Sequence, residues 1–194
     1  MGDMISPRFL YGTAWKEQDT ARCVRDALRA GFRGIDTANQ RVHYHEAAVG
    51  EALREAFEAG DVTRDGLFVQ TKFTPRGGQD HRLPYDPEAA VGEQVRQSLE
   101  SSLDHLGFER LDAYLLHGPF TPVGLGAEDR EVWRAFEVLH GEGRVDRLGL
   151  SNVSLEQLRA FHQDARVAPS FVQNRCFATT RWDGEVRAYC REHG

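Results

Sequence analysis

One pattern recurs along this chain: a short apolar run rich in β-branched or aromatic residues, a turn carrying glycine or polar residues, then an amphipathic stretch at helical spacing. Six such units can be read from the N-terminus to Gly194. Strands are predicted at residues 9–13, 32–36, 67–73, 111–117, 146–150 and 170–173, and helices at 19–30, 45–59, 87–106, 128–140, from just after Ser154, and at 183–192. Gly31 and Gly60 follow the first two helices as C-terminal stops, and Asp86 before Pro87 predicts the N-cap of the third.

Strand and helix in strict alternation is the pattern of an α/β fold with a parallel sheet, and six repeats without a dinucleotide glycine fingerprint after the first strand favour a TIM-type (β/α)8 barrel over an open doubly wound sheet. A complete barrel of that type takes about 250 residues, with roughly 200 as the lower end. At 194 residues the expectation is one domain over residues 1–194, truncated to about six βα units, with the first and sixth strands as open edges through which self-association is expected.

The formal charge is −6, with basic residues dispersed among acidic ones, so neither nucleic acid nor a membrane surface is an expected partner. Three cysteines, Cys23, Cys176 and Cys190, are too few and too scattered for a disulfide framework. No apolar run approaches ~18 residues and no secretory leader is legible, so a cytoplasmic location is the expectation.

Three polar residues fall at predicted strand ends: Asp36, Lys72 and His117. In a parallel barrel the C-terminal rim is where catalytic side chains converge, so an acid, an amine and an imidazole are expected in one pocket. A carboxylate about 4 Å from an ammonium favours its charged form by up to ~4 kcal/mol. Such a cation would lower the pKa of a nearby hydroxyl, and Tyr44, just past the second strand, supplies one. The set suits protonation of an oxygen on which negative charge develops. Taken singly, each residue has a plainer reading: Asp36 as a loop cap, Lys72 as a solvated rim lysine, His117 and Tyr44 as packing groups. Their agreement at one rim outweighs those readings. His43-x-His45 lacks the helical spacing and third ligand of a metal site, and Gly77-Gly78 lacks the ending of a phosphate loop, so no metal is expected.

Further segments carry a family resemblance: Tyr11-Gly12-Thr13-Ala14-Trp15-Lys16, Gly31-Phe32-Arg33-Gly34-Ile35-Asp36-Thr37-Ala38, Tyr44-His45-Glu46-Ala47-Ala48-Val49-Gly50, Thr71-Lys72, Leu115-Leu116-His117, Leu148-Gly149-Leu150-Ser151-Asn152 and Val172-Gln173-Asn174. In this order they resemble the aldo-keto reductases, over nearly the whole chain. The resemblance implies NADPH-dependent reduction of an aldehyde or ketone to an alcohol, with Asp36, Tyr44, Lys72 and His117 as the catalytic tetrad and Tyr44 as proton donor. It implies further that Ser151, Asn152 and Gln173 hold the nicotinamide carboxamide, that Thr13, Lys16 and Asp36 approach the cofactor, and that Trp15 lines the substrate pocket. A small-molecule carbonyl is the implied partner.

This chain departs from the common family spacing through an insertion at Gln40-Arg41-Val42, which resembles a subgroup with a longer second loop. The family's aromatic after a seventh strand and its phosphate-gripping loops around strands seven and eight have no counterpart in the 194 residues. Two other readings stay open on the sequence: a barrel lyase using Lys72 as a Schiff-base nucleophile, and a non-catalytic fragment that associates through its strand edges.

Overall fold

Six short strands form one parallel sheet in the order of the chain: β1 (Tyr11–Gly12), β2 (Gly34–Asp36), β3 (Phe68–Phe73), β4 (Leu111–Leu116), β5 (Val145–Ser151) and β6 (Phe171–Gln173). A helix follows each: α1 (Thr20–Arg29), α2 (Glu46–Glu58), α3 (Val91–Leu106), α4 (Ala127–Gly141), α5 (Leu155–Asp164) and α6 (Gly184–His193). The structure is a computed structural model and describes residues 7–194. β1 and β6 are the edges, as the six-unit reading requires.

The sheet is curled. In a flat sheet, four strand steps of ~4.8 Å would put β6 about 19 Å from β2. Instead Gln173 Nε2 on β6 donates to Asp36 Oδ2 on β2 at 3.2 Å, and Gln70 Nε2 on β3 donates to Gln173 Oε1 at 2.9 Å. These side chains cross the concave face, so the strand ends surround a common space as in a barrel wall.

The convex face is the core. Val24, Val49, Leu53, Leu99, Leu103, Phe136 and Phe161 from the helices are buried against Ile35, Val69, Tyr114, Leu116 and Leu148 of the strands. Each such aliphatic side chain contributes roughly 1.5–3 kcal/mol by leaving water. α2 and α3 approach closely at Gly50, where an added Cβ would collide with the His105 carbonyl oxygen.

Some boundaries differ from the sequence expectation. α3 starts at Val91 rather than 87, and its N-cap is Ala90, not Asp86. Asp86 Oδ1 instead accepts the Glu88 N–H at 3.0 Å in a local turn, while Gln94 Nε2 donates to the Pro87 and Ala89 carbonyls and holds that turn off the helix. β1 shrinks to two residues because it has a single neighbour. α5 starts after Ser154 as expected, and Ser154 and Gln157 close a reciprocal capping box.

Candidate active site

Because every strand runs in the same direction, Asp36, Lys72, Ser151 and Gln173 all lie at one end of the sheet, with His117 one residue beyond β4. Lys72 and Asp36 form the buried centre. Lys72 Nζ donates to Asp36 Oδ1 at 2.5 Å and to the Thr37 carbonyl at 2.8 Å, with side chains only 2% and 8% exposed. Asp36 also accepts from Gln70 Nε2 at 2.7 Å and from Gln173 Nε2. The carboxylate is thus fixed by three donors from two strands, β3 and β6.

Tyr44 and His117 stand over this pair. Lys72 Nζ lies 5.2 Å from the Tyr44 ring centroid, and the Tyr44 and His117 rings meet edge to face at 5.9 Å. A cavity of about 610 Å³ opens above them, lined among others by Trp15, Tyr44, Lys72, His117, Asn152 and Gln173. That volume suits a small organic ligand. Trp15 is exposed and stacks on His43 at its mouth, with ring centroids 3.6 Å apart.

The electrostatics correct one expectation. Burial, and then the negative charge of Asp36, push the Tyr44 phenol up from its ordinary value. Lys72 does not pull it down, because its charge is already matched by Asp36 at contact distance. The resting phenol therefore holds its proton at neutral pH. His117 is pushed down to about 4 by burial and by the Lys72 charge, so its imidazole is neutral there. Thr74 Oγ1 bonds His117 Nδ1 at 2.7 Å, leaving Nε2 without a protein hydrogen bond among the described residues.

The other predicted residues divide. Ser151 and Asn152 join Gln173 on the cavity wall. Ser151 Oγ donates to the Gln173 carbonyl at 2.7 Å, and Asn152, at φ 55°, donates through Nδ2 to the His117 carbonyl at 2.8 Å. Nδ2 also donates to Ser151 Oγ at 3.1 Å, so what Asn152 has left for a ligand is its amide oxygen, an acceptor suited to a carboxamide N–H. Thr13 and Lys16 do not line the cavity. The Thr13 hydroxyl is buried and spent on the Asp36 carbonyl at 2.9 Å, so it braces the site from behind.

Gln70 and Thr74 were missed by the sequence reading. The signal was available: in β3 and its extension, residues 70, 72 and 74 share one face at period two, so Lys72 marks its neighbours as rim residues too.

The chain can now be set beside known proteins. The model of the Aldo/keto reductase family matches residues 9–194. The Bacillus subtilis protein YtbE, described as an uncharacterized oxidoreductase, is 31% identical over 177 residues, covering 91% of this chain and 56% of its own length. Mouse aldo-keto reductase family 1 member A1 is 31% identical over 198 residues, covering 93% and 56%. An aldo/keto reductase structure from Brucella melitensis superposes with a TM-score of 0.74 at 29% identity, over 95% of this chain and 64% of that one. AKR2E5 of the silkworm Bombyx mori, solved in complex with NADPH, superposes with a TM-score of 0.73 at 25% identity, over 93% and 55%. The chain spans about half the length of the curated relatives it matches. Matched by the family model along all but its first eight residues, with six βα units of the same fold, this chain belongs to the aldo/keto reductase family.

Proposed function

We propose that this chain carries NADPH-dependent reduction of an aldehyde or ketone to the alcohol. The observation that carries the reading is the meeting of a protonated, half-buried phenol, a neutral imidazole and a buried Lys–Asp pair at the floor of one cavity. The NADPH bound by the related silkworm protein supports the choice of cofactor. Ser151, Asn152 and Gln173 would hold its carboxamide, and when bound it supplies a hydride to the substrate's carbonyl carbon.

The chain's own residues do the rest. Tyr44 Oη–H is the proton donor: as negative charge grows on the carbonyl oxygen, that oxygen becomes a stronger base than phenolate and takes the proton. His117, with Nδ1 engaged by Thr74, orients the carbonyl oxygen through Nε2. Asp36 holds the Lys72 ammonium in place 5.2 Å from the Tyr44 ring, so that the matched pair forms the floor beneath the phenol. Trp15 and His43 wall the substrate's entrance. The Schiff-base alternative is opposed by the same geometry, because a nucleophilic amine needs a free lone pair and Lys72 Nζ is donating to both Asp36 and Thr37.

Titration of the folded 194-residue chain with NADPH, followed by cofactor fluorescence, tests the reading. Saturable binding followed by turnover of a simple aldehyde supports it. A folded chain that neither binds NADPH nor turns over the aldehyde refutes it.

A further inference from the structure

The inserted second loop contains Arg41, and its side chain leaves the cavity and runs to α3. Arg41 Nη2 lies 2.9 Å from His105 Nε2. A guanidinium can only donate, so the imidazole nitrogen facing it accepts and carries no proton. The proton of the neutral ring is then on Nδ1, which donates to Glu46 Oε2 at 3.2 Å. Glu46 is the first residue of α2, two residues after Tyr44, with its side chain 1% exposed; its other oxygen accepts from Thr71 Oγ1 on β3.

The backbone is built to hold this chain of contacts. Glu46 and Gly50 lie on one face of α2, one turn apart. Because Gly50 has no side chain, the His105 carbonyl settles against α2, and the His105 ring comes to the level of Glu46. Around Tyr44 the loop has further ties: Gln40 Nε2 donates to the Gly78 carbonyl, Arg82 Nη2 to the Arg41 carbonyl, and the Trp15 N–H to the His43 carbonyl. With Asn39 Nδ2, which donates to the Ser98 carbonyl of α3 at 3.1 Å, the Arg41 side chain ties this loop to the helix layer.

We propose that Arg41, His105 and Glu46 form a positioning relay that fixes the longer second loop, and with it Tyr44, over the Lys72–Asp36 pair. The relay rests on the proposed reductase chemistry only in taking Tyr44 as the proton donor. It is directional: the Arg41 guanidinium donates to His105 Nε2, and His105 Nδ1–H donates to the buried Glu46 carboxylate.

The test uses the whole chain labelled with ¹⁵N-histidine and, separately, uniformly with ¹⁵N. The expected spectrum shows His105, assigned by its absence in His105→Gln, as the Nδ1–H tautomer. The Tyr44 amide cross-peak should shift in His105→Leu and return towards its parent position in His105→Gln. In turnover, His105→Leu should lower kcat by about 10- to 100-fold, the scale of a small misplacement of a reacting group, with NADPH affinity held within about twofold. His105→Gln, whose amide can both accept from Arg41 and donate to Glu46, should recover more of kcat than His105→Leu. An Nε2–H tautomer, or a Tyr44 amide unmoved by His105→Leu, would overturn the relay. Absence of turnover in every variant would refute the reductase reading instead, and the spectra would still decide the relay.

Discussion

Removing Lys72 while leaving Asp36 in place should destabilise the fold out of proportion to the atoms lost. The two charges are 2.5 Å apart with almost no solvent contact. At an effective dielectric near 20 their gross attraction is roughly 7 kcal/mol, but burying each ion cancels several kcal/mol of that, so the intact pair adds little net stability. Breaking the pair is different: Lys72→Met leaves the Asp36 carboxylate with only the Gln70 and Gln173 amides. The expected cost is about 3–5 kcal/mol. With a urea m-value near 2 kcal/mol/M, the midpoint should fall by about 2 M. Lys72→Met/Asp36→Leu should regain at least about 2 kcal/mol of this, because the two amides can then satisfy each other through the bond they already make. Urea unfolding followed by circular dichroism on the four members of the cycle gives the coupling directly, with Lys72→Arg as a charge-preserving control should Lys72→Met fail to fold. A cost below about 1 kcal/mol, or single costs that simply add, would refute the claim that the pair is a coupled buried unit.

Three further outcomes are expected. His117 binds its proton less readily folded than unfolded, so stability is fully present above about pH 6.5 and declines as pH falls towards about 4, where the loss levels off; the loss is about 2 kcal/mol once the ring's partial exposure is discounted, and urea titrations across that window should show a flatter profile for His117→Asn. Ser154→Ala removes the cap of α5 and should cost about 0.5–2 kcal/mol by the same assay. Gly50→Ala drives a methyl into the His105 carbonyl and should destabilise by about 1–3 kcal/mol, read as a lower Tm.

The fold was legible because each strand is an apolar run bounded by turn residues, and each helix has a stripe such as Val49, Ala52, Leu53 and Ala56 at the period of one buried face. The start of α3 was not legible, since Asp86–Pro87 satisfies every local rule for a helix start while the longer-range Gln94 bonds decide otherwise. At the site, Asp36, Lys72 and His117 could be read from strand ends alone. What they do to one another could not: whether Lys72 serves the phenol or is matched by Asp36 depends on a contact of 2.5 Å that no spacing reveals. Gln70 and Thr74 sat in view at period two but carried no chemistry of their own until the rim was assembled. The Arg41–His105 contact joins residues 64 apart in sequence and depends on the missing side chain at Gly50 for its geometry.

The central claim is that Tyr44 gives the proton in a carbonyl reduction carried out on this rim. A single-turnover experiment with carbon-four-deuterated NADPH and an aryl aldehyde, comparing the parent with Tyr44→Phe, tests it most directly. Deuterium should appear at the carbinol carbon with the parent, and the rate should fall by about 100-fold or more when the phenolic proton is removed, with circular dichroism unchanged. Deuterium transfer at the same rate in both proteins would contradict the account, as would a folded, NADPH-saturated parent that transfers none.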